Sequence, residues 1–129
     1  MNPLYIVPTP IGNLDDITIR ALNILKNSDL ILCEDTRRTT KLLNHFSIKK
    51  KLISFYKDNE LLMIDKILDL LESNVISLVS DAGTPAISDP GSKLIKKLNS
   101  KGIQVIPLPG PSSITTAFSA SGLDGEFIF

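Results

Sequence analysis

The chain has 129 residues, 43% of them hydrophobic and 22% charged, which is enough for one domain with a real core and ordinary for a protein in water. Its 14 Lys and Arg balance 14 Asp and Glu, so the formal charge is zero and no global field favours nucleic acid or an anionic membrane; any such partner must be met by a local patch. Cys33, the one cysteine, cannot form an internal disulfide and sits in an apolar run, which suits a small buried hydrophobe in a reducing cytosol, and neither a secretion signal nor a membrane-spanning window is present.

A short apolar run at 4–7 reads as the first strand, followed by a Pro- and Gly-containing loop over 8–16. Ile17, Ala21, Ile24 and Leu25 then form one helical stripe. The second strand, 30–33, leads through Glu34-Asp35-Thr36-Arg37-Arg38 into a helix over 39–46 that ends at the one histidine, His45, a helix-end or surface residue. The basic run Lys49-Lys50-Lys51 precedes a third strand at 51–55; such runs are more often solvated than binding, although Arg37, Arg38 and Lys41 can join it in a local patch. Ile64, Ile67, Leu68 and Leu71 mark the next helix at i, i+3, i+4 and i+7. A fourth strand, 75–79, empties into a polar turn over 80–91, after which Leu94, Ile95 and Leu98 form the inward side of a helix over 93–101. A fifth strand at 104–108 and the turn Pro109-Gly110-Pro111 introduce a last helix over 112–120. This alternation predicts an α/β fold: a mostly parallel five-stranded sheet with right-handed crossovers and helices on both faces, in a single domain over 1–129.

In such a sheet the loops after the strands gather at its carboxyl edge, where small molecules bind. The turn at 80–91 is longer than a usual strand-to-helix connection, carries Gly83, Gly91, Pro85 and Pro90 to fix its shape, and offers Asp81, Thr84, Ser88 and Asp89 to a ligand; the plainer reading is a connection capped by Asp89 or Ser92. The loop at 8–16 has one glycine where a dinucleotide fingerprint has three, and no phosphate-binding Gly-Lys-Ser/Thr loop occurs, so a nucleotide triphosphate or NAD is disfavoured. One His and one Cys far apart make a zinc site improbable, and no metal is expected. A ligand with a nucleoside and hydroxyls but no phosphate fits better.

Four segments in order carry a further signal: Pro8-Thr9-Pro10-Ile11-Gly12-Asn13-Leu14-Asp15-Asp16, Cys33-Glu34-Asp35-Thr36-Arg37, Ser80-Asp81-Ala82-Gly83-Thr84-Pro85 continuing to Gly91, and Pro109-Gly110-Pro111-Ser112-Ser113. Together they resemble the tetrapyrrole methylase superfamily over essentially the whole chain, and within it the branch of ribosomal RNA small-subunit methyltransferases. The relatives of tetrapyrrole type carry Gly-Asp-Pro where this chain has Gly83-Thr84-Pro85, which supports the RNA branch. The resemblance implies a cytoplasmic S-adenosyl-L-methionine-dependent transferase, here its amino-terminal half with a second domain absent. It further implies transfer of a methyl group to the ribose 2′-hydroxyl of a cytidine in small-subunit (16S) ribosomal RNA, by an enzyme that works as a homodimer and has no membrane partner. The rival readings are a methylase of a small tetrapyrrole and a noncatalytic ligand-binding domain.

By the same resemblance Ile11, Thr84, Ile87, Ser112 and Ser113 form the cofactor wall, shaped by Asp81 and Gly83. Ile11 and Ile87 are equally readable as core packing. Glu34 and Asp35, at a strand end facing the cleft, are the candidates to accept the proton of the ribose hydroxyl; an ion pair with Arg37 or Arg38, or capping of the next helix, is the competing use. Arg37 and Arg38 are the candidates for an RNA phosphate.

Overall fold

In the computed structural model, which describes residues 1–128, the five expected strands assemble into one sheet. β1 (Leu4–Ile6), β2 (Leu30–Cys33), β3 (Lys51–Ser54), β4 (Ile76–Leu78) and β5 (Val105–Pro107) lie in the order β3-β2-β4-β1-β5, all paired parallel. α1 (Ile19–Asn27), α2 (Thr36–His45), α3 (Glu60–Leu71) and α4 (Ser92–Ser100) connect successive strands, and α5 (Ser113–Ala120) follows β5.

Successive side chains of a strand point to opposite faces, and here both faces are covered. Leu4, Ile6, Leu30 and Leu32 meet Ile64, Ile67 and Leu71 of α3 and Leu94 and Leu98 of α4. Val7, Ile31 and Cys33 meet Ala21 and Leu25 of α1 and Leu42 and Leu43 of α2 on the other side. Two-sided burial is why the central strands read as continuous apolar runs: β2 is buried at all four positions. Each Leu or Ile so enclosed contributes roughly 1.5–3 kcal/mol from removal of apolar surface, before conformational entropy is set against it. The one hydroxyl pair inside satisfies itself, Ser28 donating to the Ile24 carbonyl at 2.8 Å and lying 2.6 Å from the Ser77 hydroxyl of β4.

Several boundaries differ from the sequence reading for local reasons. Val7, Val79 and Leu108 fall just outside the strands but still donate to Leu78, Leu32 and Ile6, so the sheet's hydrogen bonding runs on into the loops. α2 begins at Thr36 rather than residue 39 because the Asp35 carboxylate accepts from the Arg37 N–H and starts the helix early. Ile17 precedes α1, whose cap is Thr18, and joins the core from outside the helix. The loop at 8–16 contains a single 3-10 turn, Leu14–Asp16, capped by Asn13. His45 ends α2 on the surface with its ring edge-on to Phe46, centroids 4.8 Å apart. α5 has no buried residue, so it leaves the sheet to the other four helices. Phe129, the end of the apolar segment that follows α5, lies outside the described residues.

Candidate active site at the carboxyl edge of the sheet

The loops after β1, β2, β4 and β5 meet at one end of the sheet, held by short polar contacts. Thr9 and Gly83 exchange two backbone hydrogen bonds of 3.0 Å, an antiparallel bridge that ties the first loop to the turn after β4. The buried Thr9 hydroxyl donates to the Ser80 carbonyl at 3.2 Å, and the buried Ser80 hydroxyl lies 3.1 Å from the Gly83 carbonyl and 3.3 Å from that of Ala82. Asp81 reaches across to the loop after β2, its Oδ1 accepting from the Asp35 N–H at 3.1 Å. Gly83 sits at φ +79°, a conformation that favours glycine, and a Cβ there would lie 3.5 Å from Ile11 and 3.7 Å from the Pro111 carbonyl, so three loops converge on this one backbone position.

Two cavities flank the bridge. One, of about 300 Å³, is lined by Ile11, Gly83, Thr84 and Ile87 with Ser112 and Ser113, which brings together every residue expected on the cofactor wall except Asp81. Ile87 is 72% exposed and Ile11 half-buried, so neither is plain core. Ser112 also caps α5, accepting from the Thr115 N–H at 3.5 Å. The second cavity, of about 560 Å³, is lined by Thr9, Ser80 and Asp81 together with Arg38 and Lys41. Asp81 therefore faces a different space from the rest of its expected group. A third hollow, of about 580 Å³, lies between α5 and the following segment; Ile114, Phe118 and Leu123 make it apolar.

The two acids after β2 differ in their contacts. Asp35 caps α2 and grips Arg37, accepting from its Nε at 3.1 Å and its terminal nitrogen at 3.1 Å, and these bonds hold the Asp35 carboxyl below the ordinary carboxylate range. The helix cap and the ion pair expected as the alternative use of Asp35 are both present, with Arg37 as the partner. The Glu34 carboxylate has no hydrogen-bond partner among the described residues; burial first, then Asp81, Asp89 and Asp35, push its pKa up. Asp89 is raised too, by burial and then Asp81. No group of three or more His, Cys, Asp or Glu among the described residues is arranged to hold a metal ion.

One contributor was invisible in the sequence. Glu60, at the start of α3, is 2% exposed, and its Oε1 accepts from the N–H groups of Gly91, Lys93 and Leu94 at 3.2, 2.9 and 3.1 Å. The start of α4 is thus capped by a carboxylate from another helix, and the local caps Asp89 and Ser92 are not used. Asn59 braces this approach, accepting from the Tyr56 N–H and donating to the Ser54 carbonyl. An acid beside Asn at a helix start was the only available signal; its partner lies 31 residues on.

The fold is similar to that of uroporphyrin III C-methyl transferase from Thermus thermophilus, with a TM-score of 0.69 and 18% identity, over 91% of this chain and 52% of that one. Curated relatives named "Ribosomal RNA small subunit methyltransferase I" are 53% identical over 124 residues in Halalkalibacterium halodurans, covering 95% of this chain and 43% of the relative, and 54% identical over 131 residues in Thermotoga maritima, covering 100% and 59%. The protein of that name from Escherichia coli O157:H7 is 52% identical over 124 residues, again 95% of this chain and 43% of the relative. The chain spans about half the length of the curated relatives it matches. The profile of the Tetrapyrrole (Corrin/Porphyrin) Methylases matches residues 3–127, and the chain belongs to that family.

Proposed function

We propose that this chain is the cofactor-binding half of an S-adenosylmethionine-dependent methyltransferase that modifies the ribose 2′-hydroxyl of a cytidine in small-subunit ribosomal RNA. The observation that carries the reading is the cavity of about 300 Å³, where the exposed side chain of Ile87 and the half-buried one of Ile11 stand beside the hydroxyls of Thr84 and Ser113, in a chain about half identical to methyltransferases of that name. These residues fit the cofactor: apolar surface for an adenine ring, hydroxyls and loop backbone for polar edges, and no glycine-rich cradle of the kind a pyrophosphate needs.

When bound, S-adenosylmethionine supplies a methyl group on a sulfonium, displaced in line by an attacking oxygen. This chain's residues then have to hold, orient and deprotonate. The Thr9–Gly83 bridge fixes the wall against which the donor lies, and such positioning is worth several kcal/mol of the barrier. Glu34 is the candidate to accept the ribose proton: it lines neither cavity itself but stands close enough to Asp81, which lines the larger one, for that charge to help raise its pKa, and its carboxylate has no internal hydrogen bond among the described residues. Asp35 keeps the strand end in place through α2 and Arg37.

The additional length of the relatives supplies the second wall of the cleft and keeps water out; the exposed apolar residues Ile114 of α5 and Leu123 after it offer a surface for it or for the second subunit of a homodimer. Small subunits as substrate place the enzyme in the cytoplasm, and no helix among the described residues is long and apolar enough to cross a membrane. The test is methylation of intact small subunits, naked ribosomal RNA and uroporphyrinogen by the intact protein with radiolabelled cofactor, followed by mapping of the product. Label on a ribose of the small-subunit RNA is expected; label only on the macrocycle, or none, overturns the reading.

A further inference from the structure

Resting on that reading, we propose that the cavity of about 560 Å³ beside α2 seats the acceptor nucleotide, with Arg38 and Lys41 holding a phosphate of its RNA backbone. The sequence offers Arg37 and Arg38 equally, but Arg37 is paired with Asp35 and does not line the cavity, whereas Arg38 does. Arg38 and Lys41 are both exposed, both line the cavity and have no ion-pair partner among the described residues. Three residues apart on α2, they share one helix face, where like charges repel. An anion between them removes that repulsion, and it is the local patch that a chain of zero net charge needs in order to meet RNA.

The rest of the lining has different chemistry. Thr9 and Asp81 belong to it, and Asp81 has one oxygen committed to the Asp35 N–H while the other can accept from a hydroxyl. With a phosphate on Arg38 and Lys41, Asp81 is left to the sugar, since a carboxylate repels phosphate and accepts from a ribose hydroxyl. The Thr9–Gly83 bridge gives Thr9 to this cavity and Gly83 to the one assigned to the cofactor, so the two open side by side at the same edge of the sheet. The volume falls within the range of sites for small ligands, large enough for one nucleotide and too small for a duplex. The ligand class is an unpaired ribonucleotide within a strand.

The test uses the intact protein and a fluorescein-labelled single-stranded RNA oligonucleotide, with binding read by anisotropy over a range of NaCl concentrations and cofactor affinity read by calorimetry with S-adenosylmethionine. Arg38→Ala and Lys41→Ala should each flatten the slope of log K against log salt by about 0.7, and the double variant by about 1.4. Arg38→Lys should restore the slope, and cofactor affinity should stay within twofold throughout. Both positions are exposed on a helix and alanine favours helix, so matching melting curves will show that folding is retained. Unchanged slopes in variants whose parent binds RNA would overturn the assignment of this cavity alone. Equal loss of cofactor affinity would make the two cavities one cofactor site and overturn it as well. A parent protein that binds the cofactor but no RNA would overturn the RNA reading itself, and this proposal with it.

Discussion

Removing the Glu60 carboxylate tests whether a buried acid on α3 sets the shape of the turn after β4. Three N–H groups converge on one oxygen, and those of Gly91 and Leu94 are buried with it, while that of Lys93 is partly reached by solvent. A buried donor left without a partner costs about 1–3 kcal/mol, and loss of a helix cap about 0.5–2 kcal/mol, so Glu60→Ala should destabilise by about 3–4 kcal/mol once water has reached the Lys93 amide. Glu60→Gln keeps an acceptor oxygen in the same place and loses only the charge, for about 1 kcal/mol. Urea-induced unfolding of the intact protein measures both, and hydrogen exchange at the Gly91, Lys93 and Leu94 amides locates the effect, which should be faster there than at α1. A loss below about 1 kcal/mol for Glu60→Ala, or equal losses for the two variants, would refute the cap as the source of order in this turn.

Gly91 lies at φ +131°, where a Cβ would come within 2.8 Å of Leu78 and 3.0 Å of Ala86, so Gly91→Ala should cost about 2–3 kcal/mol in thermal unfolding, and an unchanged melting temperature would contradict the packing. Gly83→Val places a branched side chain at φ +79° against Ile11 and Pro111, and should abolish binding of S-adenosylmethionine by calorimetry while melting stays cooperative; unaltered affinity would remove this loop from the cofactor site. Burial and three neighbouring acids raise the Glu34 pKa above its ordinary 4.5, so the folded chain binds more protons than the unfolded one in the window from there upward, and stability falls as pH rises through it. Glu34→Gln should therefore leave stability at neutral pH the same or higher while slowing methyl transfer roughly 10²- to 10⁴-fold, and a variant that is both less stable and fully active would show that Glu34 serves structure.

The layers of the fold were legible because period and burial agree. Leu30-Ile31-Leu32-Cys33 alternates between two covered faces, so a run with no polar residue could only be a strand enclosed on both sides. The long turn after β4 was legible too, because Gly83, Pro85, Pro90 and Gly91 fix conformation through their own covalent structure. What escaped was set by where a side chain turns or by a partner distant in sequence. Asp35 reads alike as a base or as a cap until Arg37 is seen folded back onto it. Asp81 reads as one of a group with Gly83 and Thr84, yet two residues along an irregular turn suffice to aim it at another cavity. Glu60 carries no local mark of the bonds it makes 31 residues away.

The polar side chains of this edge divide into those already engaged and those left free, and the division bears on how the site can work. Thr9, Ser80, Asp35 and Glu60 bond to backbone groups: Thr9 joins two loops far apart in the chain, Ser80 folds its own turn onto Gly83, and Asp35 and Glu60 fix the starts of helices. Ala86 sits at φ +65°, which costs about 1–2 kcal/mol for a residue with a Cβ, and the conformation persists because Gly91 leaves room for that Cβ while Glu60 holds Gly91 from the other side. A turn so constrained does not need a ligand to order it, so binding energy is available for the reaction rather than for folding the loop. Glu34, Arg38 and Lys41 have no internal hydrogen-bond or ion-pair partner among the described residues, one acid and two cations around the same edge. Under the proposed function, the acid is placed to take a proton and the two cations to meet a phosphate, while the engaged residues hold the loops in shape.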